Sequence, residues 1–296
     1  MTLEQLRIFV AVAERQHVTR AAAELNMTQS TASAALAALE ERHGTKLFDR
    51  VGRGLSLNDA GRTLLPYARE VLAAATRAEE ALADLAGLRR GALRIGASQT
   101  VASYWLPPRM VRFSQSHPLI DLTLDVHNTT QVAAAVLSGT ADIGLVEGSV
   151  SSGDLMVTAV ATDSLALVAA ANHPLAQREF GLSDLRNERW VLREVGSGTR
   201  QAAEQSLHRL GLGPGDIRIA LELPSNEAVI SAVRTSTLLT VLSEVTVAAA
   251  LATGALVRLP VELSTRSFSL VTHRRREQSQ AAQAFARMLL SEKQPH

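Results

Sequence analysis

The chain has 296 residues, of which 46% are hydrophobic and 20% charged, with a formal net charge of +1. This composition is typical of a folded protein with two or more domains, and it excludes a disordered or collagen-like chain. The absence of cysteine excludes disulfides, thiolate metal sites and a thiol redox sensor. No apolar run reaches roughly 18 residues and no signal-peptide pattern is present, so we expect a cytoplasmic protein without a membrane span.

The first sixty residues predict three helices followed by a hairpin. Apolar residues at helical spacing predict a first helix that ends near Gln16. Thr19 is the expected N-cap of the second helix and Thr28 that of the third, so these two helices form a helix-turn-helix. Two short segments flanked by glycines, 46–50 and 55–57, then predict a hairpin or wing.

The hairpin region carries a local excess of positive charge that the near-neutral total hides. Between residues 42 and 62, five basic side chains face two acidic ones, Arg42, Lys46, Arg50, Arg53 and Arg62 against Asp49 and Asp59. Such a patch attracts a phosphate backbone, although a solvated surface is the simpler alternative.

A long amphipathic helix follows the hairpin. Its apolar positions have spacings that alternate between four and three, at Leu64, Ala68, Val71, Ala75, Ala78, Leu82 and Leu85. A repeat of about 3.5 residues favours a coiled-coil seam, and hence a dimer, over a helix packed on its own chain.

From residue 91 onward, apolar strands alternate with helices. The first unit has strands at 93–97, 122–126 and 141–146, with helices at 101–116 and 130–138 between them. A second unit runs from residue 165 to about residue 259. The last strand and helix, 267–272 and 280–290, are expected to return to the first unit, so that the chain crosses between lobes near 162–163 and near 264–266. This pattern predicts a doubly wound α/β fold in two lobes.

Several motifs of the N-terminal segment occur together, namely Phe9-Val-Ala-Val-Ala-Glu14, Thr19-Arg-Ala-Ala22, Thr28-Gln29-Ser30, Leu47-Phe-Asp-Arg50, Gly52-Arg-Gly54 and Leu57-Asn-Asp-Ala-Gly61. They resemble the winged helix-turn-helix of LysR-type transcriptional regulators. The two-lobed remainder resembles the periplasmic-binding-protein-like effector domain of the same family, so the resemblance covers almost the whole chain.

The resemblance implies a domain organisation and a function. The implied domains are a winged helix-turn-helix DNA-binding domain (1–60), a linker and dimerisation helix (61–90), and an effector-binding domain (91–296) with lobes of about 91–162 plus 267–296 and about 163–266. The implied function is a non-enzymatic regulator of transcription that binds double-stranded promoter DNA under the control of a small-molecule effector. It would form a dimer through the linker helix and a homotetramer, and RNA polymerase is a further expected partner. The competing interpretation is a cytosolic two-lobed solute-binding protein or enzyme with an N-terminal assembly domain.

In the family the start of the third helix enters the major groove, which implies that the residues Thr28, Gln29, Ser30 and Ser33 contact base edges and phosphates. Glutamine suits adenine, and hydroxyls and helix N-terminal amides suit phosphate. The arginines Arg20, Arg50 and Arg53 would contact the DNA backbone. The family often has Pro after the glutamine and a basic residue after Ser33, but this chain has Ser30 and Ala34. Phosphate contacts and DNA shape are therefore expected to contribute more to DNA recognition, and direct contacts to base edges less.

Polar turns follow strands in both lobes. Ser98-Gln99-Thr100 follows the first strand, and Gly196-Ser197-Gly198-Thr199 follows a strand of the second lobe. Each turn opens a helix, so its amides and hydroxyls suit an anion. The resemblance implies that both turns bind the effector, and Thr129 is a third candidate by the same logic, although helix capping alone would also explain these residues.

The subgroup that this region resembles contains regulators of sulfur assimilation and of carbon fixation. That likeness implies a small effector anion, such as a sulfite- or sulfate-like oxyanion, a carboxylate or a phosphorylated metabolite. No catalytic residue, metal or cofactor is expected. Glu147 and Glu194 are also candidate effector-binding residues, but an unpaired carboxylate repels an anion. They either pair with Arg193 or Arg200 or bind a ligand that carries hydrogen-bond donors.

Overall fold

The computed structural model describes residues 1–51, 54–85 and 91–292. The chain divides into two compact units: Met1–Leu88 together with Ser138–Thr140, and Arg89–Leu137 together with Ala141–His296. Across the described ranges, no helix is long and apolar enough to cross a membrane. The same ranges hold no cluster of three or more His, Asp or Glu side chains suited to a metal ion.

The N-terminal unit has the predicted order of elements, with α1 (Leu3–Arg15), α2 (Val18–Glu24), α3 (Gln29–His43), β1 (Phe48–Val51), β2 (Gly54–Leu57) and α4 (Asp59–Leu85). Strands β1 and β2 form an antiparallel hairpin. The Thr28 hydroxyl accepts a hydrogen bond from the Thr31 amide at 3.2 Å, which makes Thr28 the N-cap of α3 as predicted. The rings of Phe9 and Phe48 meet edge to face at 5.6 Å in the core beneath these helices.

Thr19 is not the N-cap of the second helix. Helix α2 begins at Val18, and His17 occupies the N-cap position without a side-chain hydrogen bond. Gln16 ends α1 in a left-handed backbone conformation with φ of 52°. Because only Gln16 and His17 separate the two helices, α2 starts before Thr19 can cap it.

The apolar positions of α4 divide between two faces. Leu64 and Ala68 pack against the core of the N-terminal unit, and Arg69 pairs with Glu14 of α1 at 2.7 Å. These two seam positions therefore follow the alternative, a helix packed on its own chain. Two other predicted seam positions, Val71 and Ala78, stay exposed, and with Tyr67 and Ala74 they form an exposed apolar stripe. Leu82 and Leu85 belong to the same helix, but their side chains lie outside the described part of the structure.

The first lobe of the C-terminal unit is a five-stranded sheet with the order β4-β3-β5-β12-β6. Its elements are β3 (Gly91–Ser98), α5 (Pro107–Ser116), β4 (Ile120–His127), α6 (Thr129–Ser138), β5 (Ile143–Glu147), β6 (Leu155–Asp163), β12 (Arg266–His273) and α11 (Gln280–Ser291). Strands β3, β4 and β5 are parallel, whereas β12 pairs antiparallel with β5 and β6. The core beneath the sheet contains Phe113 and Phe285, whose rings lie 5.0 Å apart.

The second lobe contains a three-stranded sheet, β10-β7-β11, and the parallel pair β8-β9. Its elements are β7 (Leu165–Ala170), α7 (Leu182–Asn187), β8 (Arg189–Arg193), α8 (Gly198–Arg209), β9 (Arg218–Leu223), α9 (Asn226–Arg234), β10 (Thr240–Ser243), α10 (Glu244–Ala252) and β11 (Leu256–Arg258). Trp190 of β8 is fully buried in its core. The chain passes from β6 directly into β7, and it returns at Arg266, which pairs with Asp163 across the β12–β6 ladder.

Two features of the first lobe differ from the sequence prediction. The single helix predicted over 101–116 is a π-helical turn, Val101–Trp105, followed by α5. Pro107 and Pro108 lack an N–H group, so they start a new helix rather than continue one. Strand β6 was not predicted, because its exposed Met156 and Val157 interrupt the buried-strand pattern.

Candidate functional site

Polar side chains converge where strands of both lobes end. Strands β3, β4 and β5 run in parallel, so Ser98 and Glu147 lie at the same edge of the first sheet. In the second lobe, Arg193 ends β8, Thr199 lies in the first turn of α8 and Asn226 begins α9. All five side chains are almost completely buried. This cluster, with Gln99 and Thr100, is called the cleft cluster below.

Glu147 joins the two lobes through hydroxyl groups. Its carboxylate, which is 1% exposed, accepts hydrogen bonds from the Ser98 hydroxyl and, at 3.2 Å, from the Thr199 hydroxyl. Its backbone carbonyl accepts from the Thr129 hydroxyl at 2.7 Å. Neither Arg193 nor Arg200 pairs with Glu147, so the predicted pairing with arginine is wrong for this residue.

Arg193 makes the second bridge between the lobes. Its guanidinium pairs with Glu194, with Nε–Oε2 at 2.8 Å, so the predicted arginine pairing is correct for that carboxylate. Nη1 donates to Gln99 Oε1 of the first lobe at 2.8 Å and to Asn226 Oδ1 at 2.7 Å. Asn226 Nδ2 in turn donates to the Thr100 hydroxyl at 3.1 Å. A single network thus includes most of the predicted effector residues.

A buried ion pair lies where the chain crosses between the lobes. Arg266 Nε donates to Asp163 Oδ2 at 2.7 Å, and the two side chains are only 6% and 2% exposed. Asp163 also accepts from the Ser243 hydroxyl at 2.6 Å, and Arg266 Nη1 donates to the Thr199 hydroxyl at 3.2 Å. The ion pair is therefore connected directly to the cleft cluster.

Ser197 and Gly198 have structural reasons for their positions. The Ser197 hydroxyl caps α8 by accepting from the Arg200 amide at 3.5 Å. A Cβ atom on Gly198 would overlap the carbonyl group of Glu147 and would lie 2.6 Å from the Thr129 hydroxyl. Glycine at this position thus allows α8 to approach β5 closely.

A polar cavity adjoins the cleft cluster between the first turns of α6 and α8. Its volume is about 360 Å³, and its lining includes Thr129, Thr130, Ser149, Ser197, Arg200 and Gln201. Burial lowers the pKa of Arg200, but its hydrogen bonds to Glu204 and Glu222 outweigh that effect and raise the pKa above its ordinary value. The lining also includes Glu204, so the charge of Arg200 at the side of the cavity is already paired with Glu204 and Glu222, with hydroxyl and amide groups around it.

The π-helical turn supplies one more contact between the lobes. The Tyr104 hydroxyl donates to Glu227 Oε1 of α9 at 3.4 Å. Burial and the nearby Glu227 carboxylate raise the pKa of Tyr104, which keeps the phenol protonated as a donor.

The predicted DNA-contact residues form an exposed polar surface at the start of α3. Thr28, Gln29 and Ser30 are exposed and Ser33 is half-buried. The Thr28 hydroxyl lies 2.8 Å from the Ser30 hydroxyl, and Gln29 Nε2 donates to Ser33 Oγ at 2.8 Å. That bond orients the glutamine amide while its Oε1 stays available to another group.

The arginines predicted to contact the DNA backbone are only partly described. Arg20 of α2 and Arg50 of β1 are exposed. Arg53 lies outside the described residues. The exposed face of α3 continues with Ala34, Ala37 and Ala38, so it lacks a cation in its middle turns.

The cleft cluster includes residues that the sequence prediction missed. Asn226 follows a strand and opens a helix, so the rule that identified Ser98 and Thr199 could also have identified it. The Arg266–Asp163 pair joins residues far apart in the chain, and no local motif marks it.

The sequence matches two family models. Residues 3–62 match the bacterial regulatory helix-turn-helix protein, lysR family, and residues 86–294 match the LysR substrate binding domain. A RuBisCO operon transcriptional regulator from Allochromatium vinosum is 38% identical over 295 residues, which cover 99% of this chain and 96% of that protein. An HTH-type transcriptional regulator, CbbR, from Rhodospirillum rubrum is 35% identical over 88% of this chain and 85% of its own length.

Solved structures show the same fold. Full-length CbnR in complex with its target DNA has a TM-score of 0.71 and 21% identity, and the match covers 99% of this chain and 100% of that one. The regulatory domain of CcmR from Synechocystis PCC6803, in complex with 2-PG, has a TM-score of 0.62 and 27% identity over 69% of this chain and 98% of that one.

Proposed function

Because the chain belongs to the LysR family of DNA-binding transcriptional regulators and carries both the helix-turn-helix and the effector-binding domain, we propose that a small anion bound between its two lobes modulates its binding to promoter DNA. Relatives along nearly the full length of the chain are transcriptional regulators, which favours this function over an enzyme or a solute-binding protein with an assembly domain. An absence of enzymatic activity and action in the cytoplasm, where a regulator meets its promoter, belong to the same proposal.

The observation that carries the proposal is that a network of hydrogen bonds between the lobes runs through the cleft cluster. Glu147 links Ser98 to Thr199, and Arg193 links Gln99 to Asn226. A ligand that exchanged any of these hydrogen bonds would change how closely the lobes approach. A ligand that binds one lobe arrangement more tightly than another raises the population of that arrangement. If the two arrangements bind promoter DNA differently, the affinity for DNA changes as well.

The anionic character of the effector is supported by the chemistry of this region. Two buried arginines, Arg193 and Arg266, lie among hydroxyl groups, and Arg200 lies beside the adjoining cavity. Guanidinium groups and hydroxyls suit carboxylate and phosphate oxygens. The CcmR regulatory domain, which is similar to the C-terminal unit, was solved with 2-PG, and this supports an anionic effector here. A sulfite- or sulfate-like oxyanion, a carboxylate and a phosphorylated metabolite are the classes proposed.

We expect the double variant Thr100→Ala/Thr199→Ala to lose thermal stabilisation by effector anions. It removes two hydroxyls that lie 3.3 Å apart and that connect Asn226 to Glu147. The measurement is the shift in unfolding temperature of the full chain with phosphate, sulfate, small carboxylates and 2-PG. The variant should still retard promoter DNA, which shows that it is folded. Stabilisation equal to that of the wild type would refute the assigned site.

Recognition of DNA is proposed to involve Thr28, Gln29, Ser30 and Ser33 at the groove and Arg20, Arg50 and Arg53 at the phosphates. Replacing Gln29 with alanine is expected to weaken specific binding by about 1–3 kcal/mol, because a glutamine amide can bond to adenine through two atoms. The measurement is fluorescence anisotropy with promoter DNA and with random DNA of equal length. An equal loss on both would reassign Gln29 to the DNA backbone.

The protein is also proposed to form a dimer through helix α4. The stripe of Tyr67, Val71, Ala74 and Ala78 on α4 is exposed and apolar, with spacings of four and three residues. Such a stripe suits a helix from a second copy, and dimers of this kind can associate into a homotetramer. Two DNA-binding domains in one assembly raise the effective concentration at the second half-site. RNA polymerase stays a predicted partner, and the limits 1–60, 61–90 and 91–296 stay the predicted domain limits.

A further inference from the structure

On the basis of the proposed anion effector, we infer that Glu147 makes the cleft select an anion that carries an ionisable hydrogen, such as hydrogenphosphate or a singly protonated phosphomonoester, over a fully ionised anion such as sulfate. The effector is thus of the phosphate type, and Glu147 accepts its hydrogen.

Glu147 is a buried carboxylate that has no cationic partner in the described part of the chain. Its carboxylate is buried, and it is held by two hydroxyls, one from each lobe. Within the described residues it has no ion pair, because the neighbouring cations are paired elsewhere, Arg193 with Glu194 and Arg266 with Asp163. A buried carboxylate without a cation is costly, so its hydrogen-bond donors are what stabilise it.

Arg266, which contacts the Thr199 hydroxyl, has one donor that no described residue uses. Arg266 is 8% exposed, and its Nη2 is buried without a hydrogen-bond partner among the described residues. Its Nη1 donates to Thr199 Oγ1, the hydroxyl that donates to Glu147. Thr199 thus separates a cation with a free donor from a carboxylate. A ligand that displaced the Thr199 hydroxyl from between them would present an anionic oxygen to Arg266 and a hydrogen to Glu147.

The hydroxyl groups around Glu147 have no spare hydrogen for an incoming anion. Ser98 and Thr199 each have one hydroxyl hydrogen, and both now point at Glu147. If either hydroxyl turns to donate to an incoming anion, the carboxylate loses a donor. Hydrogenphosphate replaces that donor with its own O–H group, so every partner stays satisfied. Sulfate has no hydrogen at neutral pH, so it would leave Glu147 unsatisfied and facing a like charge.

The test compares inorganic phosphate with sulfate on the full chain, at neutral pH and matched ionic strength, by isothermal titration calorimetry. Wild-type protein is expected to bind phosphate at least about tenfold more tightly than sulfate, because a site with a polar group left unpaired rejects the wrong ligand strongly. The phosphomonoester 2-PG forms a second arm. Tighter binding of 2-PG than of phosphate at about pH 6, where much of an ester phosphate carries the hydrogen, would identify an organic phosphate. Tighter binding of 2-PG at about pH 8, where its phosphate carries no hydrogen, than at about pH 6 would contradict the role of Glu147.

The decisive variant is Glu147→Gln. The amide has the same shape, carries no charge and donates to anion oxygens, so sulfate affinity should rise, phosphate affinity should fall, and the discrimination should drop to within about threefold. The control is Glu179→Gln, which removes one exposed carboxylate of the same unit and should leave the ratio unchanged. If Glu147→Gln fails to fold, dimethyl phosphate provides the comparison in the wild type, since it is an anion that cannot carry the hydrogen and should behave like sulfate.

The outcomes separate this inference from the proposed function. Equal affinity for phosphate and sulfate in the wild type, or unchanged discrimination in Glu147→Gln, would overturn the role of Glu147 and leave an anion-binding cleft in place. Binding of carboxylates alone would overturn the phosphate-type effector but not the regulated cleft. If no anion binds, both proposals fall.

Discussion

Replacing Arg266 with methionine is expected to lower the free energy of unfolding of the C-terminal unit by about 3–5 kcal/mol. The substitution leaves the carboxylate of Asp163, whose side chain is 2% exposed, with the Ser243 hydroxyl but without its cation. It also removes the donor to Thr199. A buried charge without a partner costs more than the original pair contributed, so the effect exceeds that of an ordinary surface change.

Urea denaturation followed by tryptophan fluorescence measures this effect in one unit of the chain. Both tryptophans, Trp105 and Trp190, belong to the C-terminal unit. The double variant Arg266→Met/Asp163→Leu removes both charges and should recover most of the loss, since an apolar pair needs no counter-charge. Arg218→Met is the matched control on an exposed strand and should change stability by less than about 0.5 kcal/mol. A loss below about 1 kcal/mol in Arg266→Met would show that the ion pair does not stabilise the crossover.

Replacing Gly198 with alanine is expected to cost about 3 kcal/mol, the upper end of the usual range for overpacking. The new methyl group would overlap the backbone carbonyl of Glu147 and would lie 2.6 Å from Thr129 Oγ1. The carbonyl belongs to the backbone and Thr129 Oγ1 is held by its hydrogen bond to that carbonyl, so the start of α8 must move away from β5. That movement separates Thr199 from Glu147, and we expect stabilisation by anions to disappear as well.

Gly153→Ala is the matched control for this substitution. A Cβ at Gly153 meets no atom within 4 Å, and the backbone there is not left-handed. Alanine at this position should leave the urea midpoint nearly unchanged or slightly raised. If Gly198→Ala proved as stable as Gly153→Ala, the close approach of α8 to Glu147 would not constrain the cleft.

Most of the residues that meet in the cleft could be predicted from the sequence, because the turn that follows each strand is recognisable in a short stretch of sequence. Parallel strands bring their carboxyl ends to one edge, and hydroxyl-bearing turns at those ends were visible at Ser98 and Thr199. The partner of each carboxylate could not be predicted from the sequence. Glu194 pairs with the preceding arginine, whereas Glu147 is bound by hydroxyls from two lobes. That difference depends on how the lobes approach each other, which no short window of sequence contains.

The linker helix shows a second limit of sequence reasoning. The predicted seam combined residues from two apolar faces of α4, because Val71 and Ala78 fit the same spacing as Leu64 and Ala68. Leu64 and Ala68 pack on the N-terminal core, while Tyr67, Val71, Ala74 and Ala78 stay exposed. Periodicity shows that a helix has an apolar face, but packing decides which face its own chain covers. The exposed stripe is therefore the surface proposed for the partner helix.

The most direct test of the account is whether an anion in the cleft changes the DNA complex. The measurement is fluorescence anisotropy of the DNA that flanks this gene, titrated with the full chain, with and without inorganic phosphate or 2-PG at constant ionic strength. We predict that an anion shifts the wild-type binding curve and does not shift that of Thr100→Ala/Thr199→Ala. Superimposable wild-type curves, at anion concentrations that calorimetry shows to saturate the cleft, would contradict the account.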